Sequence, residues 1–163
     1  MKLSRLVLPF LLLFSCSSMA DLGENRELIE QWRVYTTPQS KAYNFAAMLY
    51  AFDGEDAALA MRCRNQQLEL YFMFADKLSA KIKPVLTIKA DEQTLANYGW
   101  QSASDGKGLF STEPTNFIDA LRDKQGIIIT YRTERREHKV TAFYLAGLPK
   151  VVEKMMATCS FKS

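Results

Sequence analysis

The sequence is poor in the side chains that catalytic and metal sites use together. Its 163 residues include one histidine, His138, and three cysteines. A catalytic triad or a zinc site needs imidazole or thiolate groups in combination, and His138 lies in a run of charged residues typical of a solvated turn. A glycine-rich loop that would hold a phosphate group is also missing. We therefore predict that the chain is not an enzyme and that it has no catalytic residue, cofactor or metal site.

The chain also lacks an apolar run long enough to cross a membrane as a helix, which takes about 20 residues. Its apolar stretch at residues 6–14 follows the cationic Lys2 and Arg5 and precedes small side chains that end at Ala20. A short apolar segment between a positive start and small residues is typical of an export signal. We predict that residues 1–20 are a signal peptide and that the mature chain has no transmembrane segment.

A second way of processing this leader stays open. Residues 13–16, Leu-Phe-Ser-Cys, resemble the site at which a bacterial lipoprotein is cleaved and its cysteine lipidated. Phe14 is bulkier than the residue that such a site prefers. Cleavage after Ala20 would release the chain into the periplasm, whereas lipidation of Cys16 would anchor it to a membrane.

A large excess of charge of either sign is missing as well. The formal net charge is +3, and removal of Lys2 and Arg5 with the leader lowers it to +1. Binding to nucleic acid requires that several phosphates be neutralised together. A nearly neutral domain therefore predicts no nucleic-acid partner.

Two cysteines, Cys63 and Cys159, remain after either kind of processing. An even, widely separated pair in an exported chain is more typical of a disulfide than of a metal site or a nucleophile. Closing a loop of nearly 100 residues stabilises a fold by about 4–5 kcal/mol in the chain-entropy model. We predict a Cys63–Cys159 disulfide and, together with the leader, a periplasmic location.

Apolar residues recur mainly with a period of two after residue 30, which is typical of strands with one buried face. The clearest case is a hairpin predicted over residues 57–74, with Cys63 near its turn. The strand aromatics are expected in the core or in cross-strand pairs, and the alternative is that they line a pocket. These aromatics are Trp32, Tyr71, Trp100 and Tyr144.

Helical spacing appears in two places, after Pro114 and after Pro149. We predict a polar, loosely ordered lead-in over residues 21–30 and a single domain over residues 31–163. The fold class is mainly β, an antiparallel β-sandwich or barrel-like fold with two short helices. The predicted disulfide would tie the C-terminal helix to the sheet.

A second hairpin is predicted from residues 127–132 and 139–145, and its tip is a local positive site on a nearly neutral domain. Guanidinium groups bind carboxylates through paired hydrogen bonds. The pattern fits a solvated turn that discourages aggregation, and it also fits a contact surface for an acidic protein partner. The candidate contact residues are Arg132, Arg135, Arg136 and Lys139, which outnumber Glu134 and Glu137.

A set of sequence landmarks runs in order along residues 32–161. They are Trp32-Arg33-Val34, Met61-Arg62-Cys63-Arg64, Leu68-Glu69-Leu70-Tyr71-Phe72, Trp100, Asp105-Gly106-Lys107, Phe117 with Leu121, Thr141-Ala142-Phe143-Tyr144-Leu145, and Cys159. No landmark is specific alone. Their order, with one cysteine near the middle and one near the end, resembles the TagO/VasI family of periplasmic proteins associated with type VI secretion systems.

The resemblance implies a periplasmic accessory protein that acts by protein contacts in an envelope-spanning secretion machine, and it implies the same Cys63–Cys159 pairing. The family carries no established catalytic residues. Two other functions stay open. A small rigid β domain suits an inhibitor or immunity protein that blocks a toxin or a lysozyme-type enzyme, since a rigid loop loses little entropy on binding. A carrier of a small apolar ligand is the third.

Overall fold

The structure is a computed structural model that describes residues 25–37, 43–80, 86–96 and 98–159. The predicted signal peptide, the alternative lipidation site at Cys16 and residues 21–24 of the predicted lead-in lie outside these stretches. The described residues form two antiparallel sheets and two helices.

The strands of the described residues divide unequally between the sheets. In chain order the elements are β1 (Asn25–Ile29), β2 (Trp32–Thr36), β3 (Phe45–Ala51), β4 (Gly54–Arg64), β5 (Gln67–Phe74), β6 (Leu86–Ala90), β7 (Gln93–Thr94), β8 (Trp100–Ser102), β9 (Gly108–Ser111), α1 (Pro114–Leu121), β10 (Gly126–Arg132), β11 (His138–Tyr144) and α2 (Leu148–Thr158). The large sheet has the order β1-β2-β3-β4-β5-β9-β8, and the small sheet has the order β11-β10-β6-β7.

The two sheets pack face to face around one core. Alternate side chains of β3, β5, β6, β10 and β11 are buried, as the period-two pattern requires, and the buried apolar side chains form a single cluster. Rings meet across the sheets, with the centroid of Phe72 5.8 Å from that of Phe143 and the centroid of Phe74 4.4 Å from that of Tyr131. The predicted mainly β sandwich is confirmed, and its sheets stay open rather than closing into a barrel.

The predicted hairpin over residues 57–74 is confirmed as β4 and β5. The two strands pair along their length, and Cys63 is opposite Leu68 near the turn. Asn65 and Gln66 both have a positive φ, 51° and 62°. Two central residues in the left-handed region make the tight turn whose twist matches that of the flanking strands.

The predicted lead-in is more ordered than its sequence indicates. Residues 25–29, expected to be loose, form strand β1, which pairs antiparallel with β2 and places Leu28 opposite Arg33. Strand β1 is at the edge of the large sheet, and four of its five residues are exposed. Because it buries so little, it shows no apolar alternation from which a strand can be predicted.

The C-terminal helix α2 packs on the large sheet through one apolar face. Leu148, Val151 and Met155 of this face are buried, and α2 contacts β2 and β3. Cys159 follows the helix directly and is joined to Cys63 of β4, with the two Cα atoms 6.0 Å apart. The predicted disulfide is confirmed, and it ties the end of α2 to the hairpin that contains Cys63.

Candidate functional site

The predicted basic tip, residues 132–139, is a tight turn between β10 and β11. Arg132 and His138 are the last residue pair of the two strands. The N–H of Thr133 donates to the Glu137 carbonyl at 3.0 Å, and the N–H of Arg136 donates to the Thr133 carbonyl at 2.9 Å. Arg136 has a φ of 65°, in the left-handed region. These backbone hydrogen bonds fix the shape of the tip.

The segment after β5 supports the tip from one side. The N–H of Glu134 donates to the Lys77 carbonyl at 2.8 Å. Thr133 is buried and forms an isolated β-bridge with Leu78. The tip is therefore held against the body of the protein, whereas the sequence alone suggests a projection held by its two strands.

The four candidate contact cations have different surroundings. The Nζ of Lys139 is 2.5 Å from the Oδ2 of Asp76. This hydrogen bond lowers the pKa of the Asp76 carboxyl and raises the pKa of Lys139. Arg135 and Arg136 are exposed and Arg132 is half-buried, and none of these three forms an ion pair with another described residue. Lys139 thus serves an internal contact, and the three arginines are available to a partner.

The outer face of the small sheet carries large apolar side chains. Inward and outward positions alternate along β10 and β11. Three of the outward side chains are strongly exposed: Ile128 by 46%, Val140 by 60% and Tyr144 by 51%. Ala142 is between the last two on β11 and is the register partner of Ile128. Exposed apolar side chains that adjoin one another are typical of an interaction site.

Phe52 extends this surface from the turn between β3 and β4. Its side chain is 79% exposed, and its N–H donates to the Ala142 carbonyl at 2.8 Å. The next residue, Asp53, accepts a hydrogen bond from the Thr141 hydroxyl at 3.1 Å. These bonds hold Phe52 beside the edge strand β11. The apolar patch consists of Phe52, Ile128, Val140, Ala142 and Tyr144.

A cavity of about 510 Å³ opens at one end of the apolar patch. Phe52 and Tyr144 line it, together with Gly126, where an added Cβ would lie 2.9 Å from a backbone carbonyl oxygen of β11. Asp91 lines it too, but its Oδ1 accepts the backbone N–H groups of Gln125 at 3.2 Å and Gly126 at 3.3 Å. Because the Asp91 carboxylate is already hydrogen-bonded within the protein, the apolar walls of the cavity are what a ligand would contact.

Two cations border the apolar patch. Lys89 of β6 is the register partner of Ile128, and Arg132 is on the same face of β10, four residues after Ile128. Lys89, like Arg132, forms no ion pair with another described residue. The surface therefore has an apolar centre and a basic border that continues into Arg135 and Arg136.

The outer face of the large sheet is built differently. Tyrosines there are covered by guanidinium groups, and the Arg62 group also pairs with Glu69 at 2.5 Å. Burial raises the pKa of Tyr71. The guanidinium carbon is 5.8 Å from the ring centroid for Arg26 on Tyr35, 4.5 Å for Arg33 on Tyr50 and 5.3 Å for Arg62 on Tyr71.

The expectation that four strand aromatics belong to the core is half right. Trp32 is fully buried, and Trp100 packs on the core with its ring 5.2 Å from Phe117 of α1. Tyr71 is on the outer face of the large sheet and Tyr144 is exposed. The signal for the missed patch is the run Ile127-Ile128-Ile129, since an unbroken apolar run gives a strand two apolar faces.

Two features are absent from the described residues. No group of three or more His, Cys, Asp or Glu side chains in these stretches is arranged to hold a metal ion. No helix there is long and apolar enough to span a membrane.

Comparisons with known proteins give a likeness of fold. No protein-family model matches the chain, and no curated protein matches its sequence. The crystal structure of invasion-associated protein B from Bartonella henselae is similar, with a TM-score of 0.58 and 12% sequence identity. The match covers 82% of this chain and 96% of that one. At this identity the likeness concerns the fold alone.

Proposed function

We infer that the chain is an exported periplasmic accessory or adaptor protein that acts through protein–protein contacts and does no catalysis. A role beside a type VI secretion system is part of the proposal, and the resemblance to the TagO/VasI family supports it. The observation that carries the proposal is the pair Arg135 and Arg136, exposed on a tip that its own hydrogen bonds and the Leu78 bridge hold in place.

The physical argument concerns entropy and charge. Binding through a preformed turn loses less conformational entropy than binding through a loop that must first become ordered. Arginine is enriched at protein interfaces, where its planar group donates two parallel hydrogen bonds to a carboxylate. Arg135 and Arg136 meet both conditions, so an acidic protein surface is the expected complement.

The test combines crosslinking with charge reversal. A photo-crosslinking amino acid placed at Glu137, beside the two arginines, is expected to join the protein to a defined envelope partner. Arg135→Glu with Arg136→Glu should remove that product without changing the melting temperature, because exposed substitutions usually cost within about 0.5 kcal/mol. The matched control reverses two other exposed cations, Arg64→Glu with Lys150→Glu, and should leave the product in place.

If both charge-reversed proteins lose the crosslinked product, net charge rather than the tip explains the loss. If both retain the product, the tip is not the contact surface. Absence of any crosslinked product would count against a contact role for this surface. The proposed periplasmic location is tested separately by the intact mass of the natively expressed protein. A chain that begins at Asp21 agrees with export and cleavage, and a lipid-modified Cys16 would place it on a membrane instead.

The same rigid tip also suits the second function, an inhibitor or immunity protein that inserts a turn into an enzyme cleft. The bond between Glu134 and Lys77 and the bridge between Thr133 and Leu78 favour it, because a supported turn resists deformation. The crosslinked partner separates the two functions. A secreted toxin or a lysozyme-type enzyme whose activity falls on binding indicates an inhibitor, and a structural envelope protein indicates an adaptor.

A further inference from the structure

The apolar patch is held in the open by the fold itself. Val140 and Tyr144 occupy outward positions of an edge strand, where polar residues usually face water. Phe52 is 79% exposed although its backbone is bonded to Ala142, so its position beside β11 is fixed. Ile128 completes the surface from the neighbouring strand. This arrangement has the geometry of a docking surface.

The charges around the patch limit what can occupy it. Lys89 and Arg132 border Ile128 on the same face, and the nearby carboxylates of Asp53 and Asp91 are already bonded to Thr141 and to backbone N–H groups. A second copy of this chain would bring cations against cations. An occupant with carboxylates would meet cations that form no ion pair among the described residues.

We propose that this face docks an acidic, amphipathic segment of a partner protein, whose apolar side chains cover the patch and whose carboxylates reach Lys89 and Arg132. The proposal rests on the adaptor function and deepens it by naming the partner's chemistry and a second contact area beside the tip. Four residues of extended strand separate Ile128 from Arg132, which is about 13 Å. The segment therefore carries an apolar anchor and a carboxylate at roughly that spacing.

The test uses synthetic peptides and the isotope-labelled mature chain. The probe is a short peptide of Leu, Phe and Glu; one analogue has Lys for every Glu, and another has Ser for every Leu and Phe. We expect the acidic amphipathic peptide to shift the amide signals of Ile128, Val140 and Tyr144. The affinity of both analogues should be lower by a factor of about ten or more. Binding should also weaken in about 1 M NaCl, where the Debye length falls to roughly 3 Å.

A matched pair of variants tests the patch itself. Ile128→Thr with Val140→Thr keeps branched, strand-compatible side chains while removing apolar surface, and it should weaken binding of the acidic peptide about tenfold. Leu28→Thr removes an apolar side chain that is more exposed than either of these, 69%, from β1 of the other sheet. This control should bind as the wild type does.

Several results would overturn the proposal. They are the absence of binding by the acidic peptide, equal binding by either analogue, shifts confined to the large sheet, and unchanged binding by the double threonine variant. The crosslinking experiment at the tip distinguishes failure of the docking proposal from failure of the adaptor function. A crosslink that depends on Arg135 and Arg136 but survives Ile128→Thr with Val140→Thr would retain the function and reject the docking face.

Discussion

The two outer faces of the sandwich both carry aromatic side chains, yet only the large sheet covers its tyrosines with arginine side chains of its own. On the large sheet, Tyr50 and Tyr71 lie under arginine guanidinium groups. On the small sheet, Ile128, Val140 and Tyr144 have no such cover among the described residues and are 46%, 60% and 51% exposed. An apolar composition alone therefore does not make an interaction surface; the exposure of its side chains does.

Two alanines show how the large sheet achieves its cover. Ala58 and Ala60 of β4 are 4% and 2% exposed, although they belong to the outward set of that strand. Ala60 pairs with Met48 and Tyr71, and Ala58 pairs with Tyr50 and Met73, on the two neighbouring strands. The small residues make room for their large neighbours to lie over the sheet. The small sheet has no corresponding row, since Ala142 is beside the exposed Val140 and Tyr144.

The largest effect on stability is expected from the disulfide that joins helix α2 to the large sheet. Replacing Cys63 and Cys159 together by alanine should lower the free energy of unfolding by about 2–5 kcal/mol, because the unfolded chain regains the freedom of a loop 96 residues long. Urea denaturation of the oxidised protein and of this variant measures the difference. Equal midpoints would mean that packing of α2 alone holds the helix in place. The exposure of the apolar patch should not change, since the patch is on the other sheet.

The next effect compares one substitution on the two faces. Tyr71→Ala should destabilise the fold by about 1.5–3 kcal/mol, since this ring is half-buried, carries the Arg62 guanidinium and is 5.0 Å from the ring of Phe110. Tyr144→Ala should change stability by no more than about 0.5 kcal/mol. Thermal unfolding of both variants gives the comparison. Similar losses would show that the two faces are covered to the same extent.

The smallest effect concerns the tip and depends on pH. The Asp76 pKa is lowered by Lys139, so the pair stabilises the fold above the carboxyl's unfolded pKa of about 3.9 and loses that effect as the pH falls through the folded value. The Lys139 pKa is raised, so the effect also fades above the unfolded lysine pKa of about 10.4.

Lys139→Met should therefore lower the stability at pH 7 slightly and converge with the wild type in acid below about pH 4. Arg136→Met is the matched control, because Arg136 is an exposed tip cation without an ion pair among the described residues. Denaturant midpoints measured across the pH range give the result. A difference for Lys139→Met that stays constant into acid would show that the Asp76 contact is not its cause.

Parts of this fold follow directly from sequence pattern. The β4–β5 hairpin is predictable because Leu70, Phe72 and Phe74 alternate with outward residues along a strand that has one buried face. Strand β1 cannot be predicted in this way, because it is an exposed edge strand without a buried face. The disulfide is predictable from the number and spacing of the cysteines that follow the predicted leader, without knowledge of the sheet.

The candidate site is less accessible to such reasoning. The tip cations are visible as a cluster in the sequence, but the partner of Lys139, Asp76, is 63 residues away. The apolar patch depends on the position of β11 at a sheet edge and on the contact of Phe52 with Ala142, both of which are long-range. The local sequence pattern shows which residues are apolar, whereas the order of the strands determines which of these residues stay exposed.

The disulfide has a consequence for the order of events in biosynthesis. A ribosome makes Cys63 first and must add 95 more residues before it reaches Cys159. During that interval the Cys63 thiol has no native partner, and any chain that stops short of Cys159 keeps a reactive sulfur in β4. Closure of the bond therefore reports that synthesis has passed α2, and the thiol that remains distinguishes a truncated molecule from a finished one.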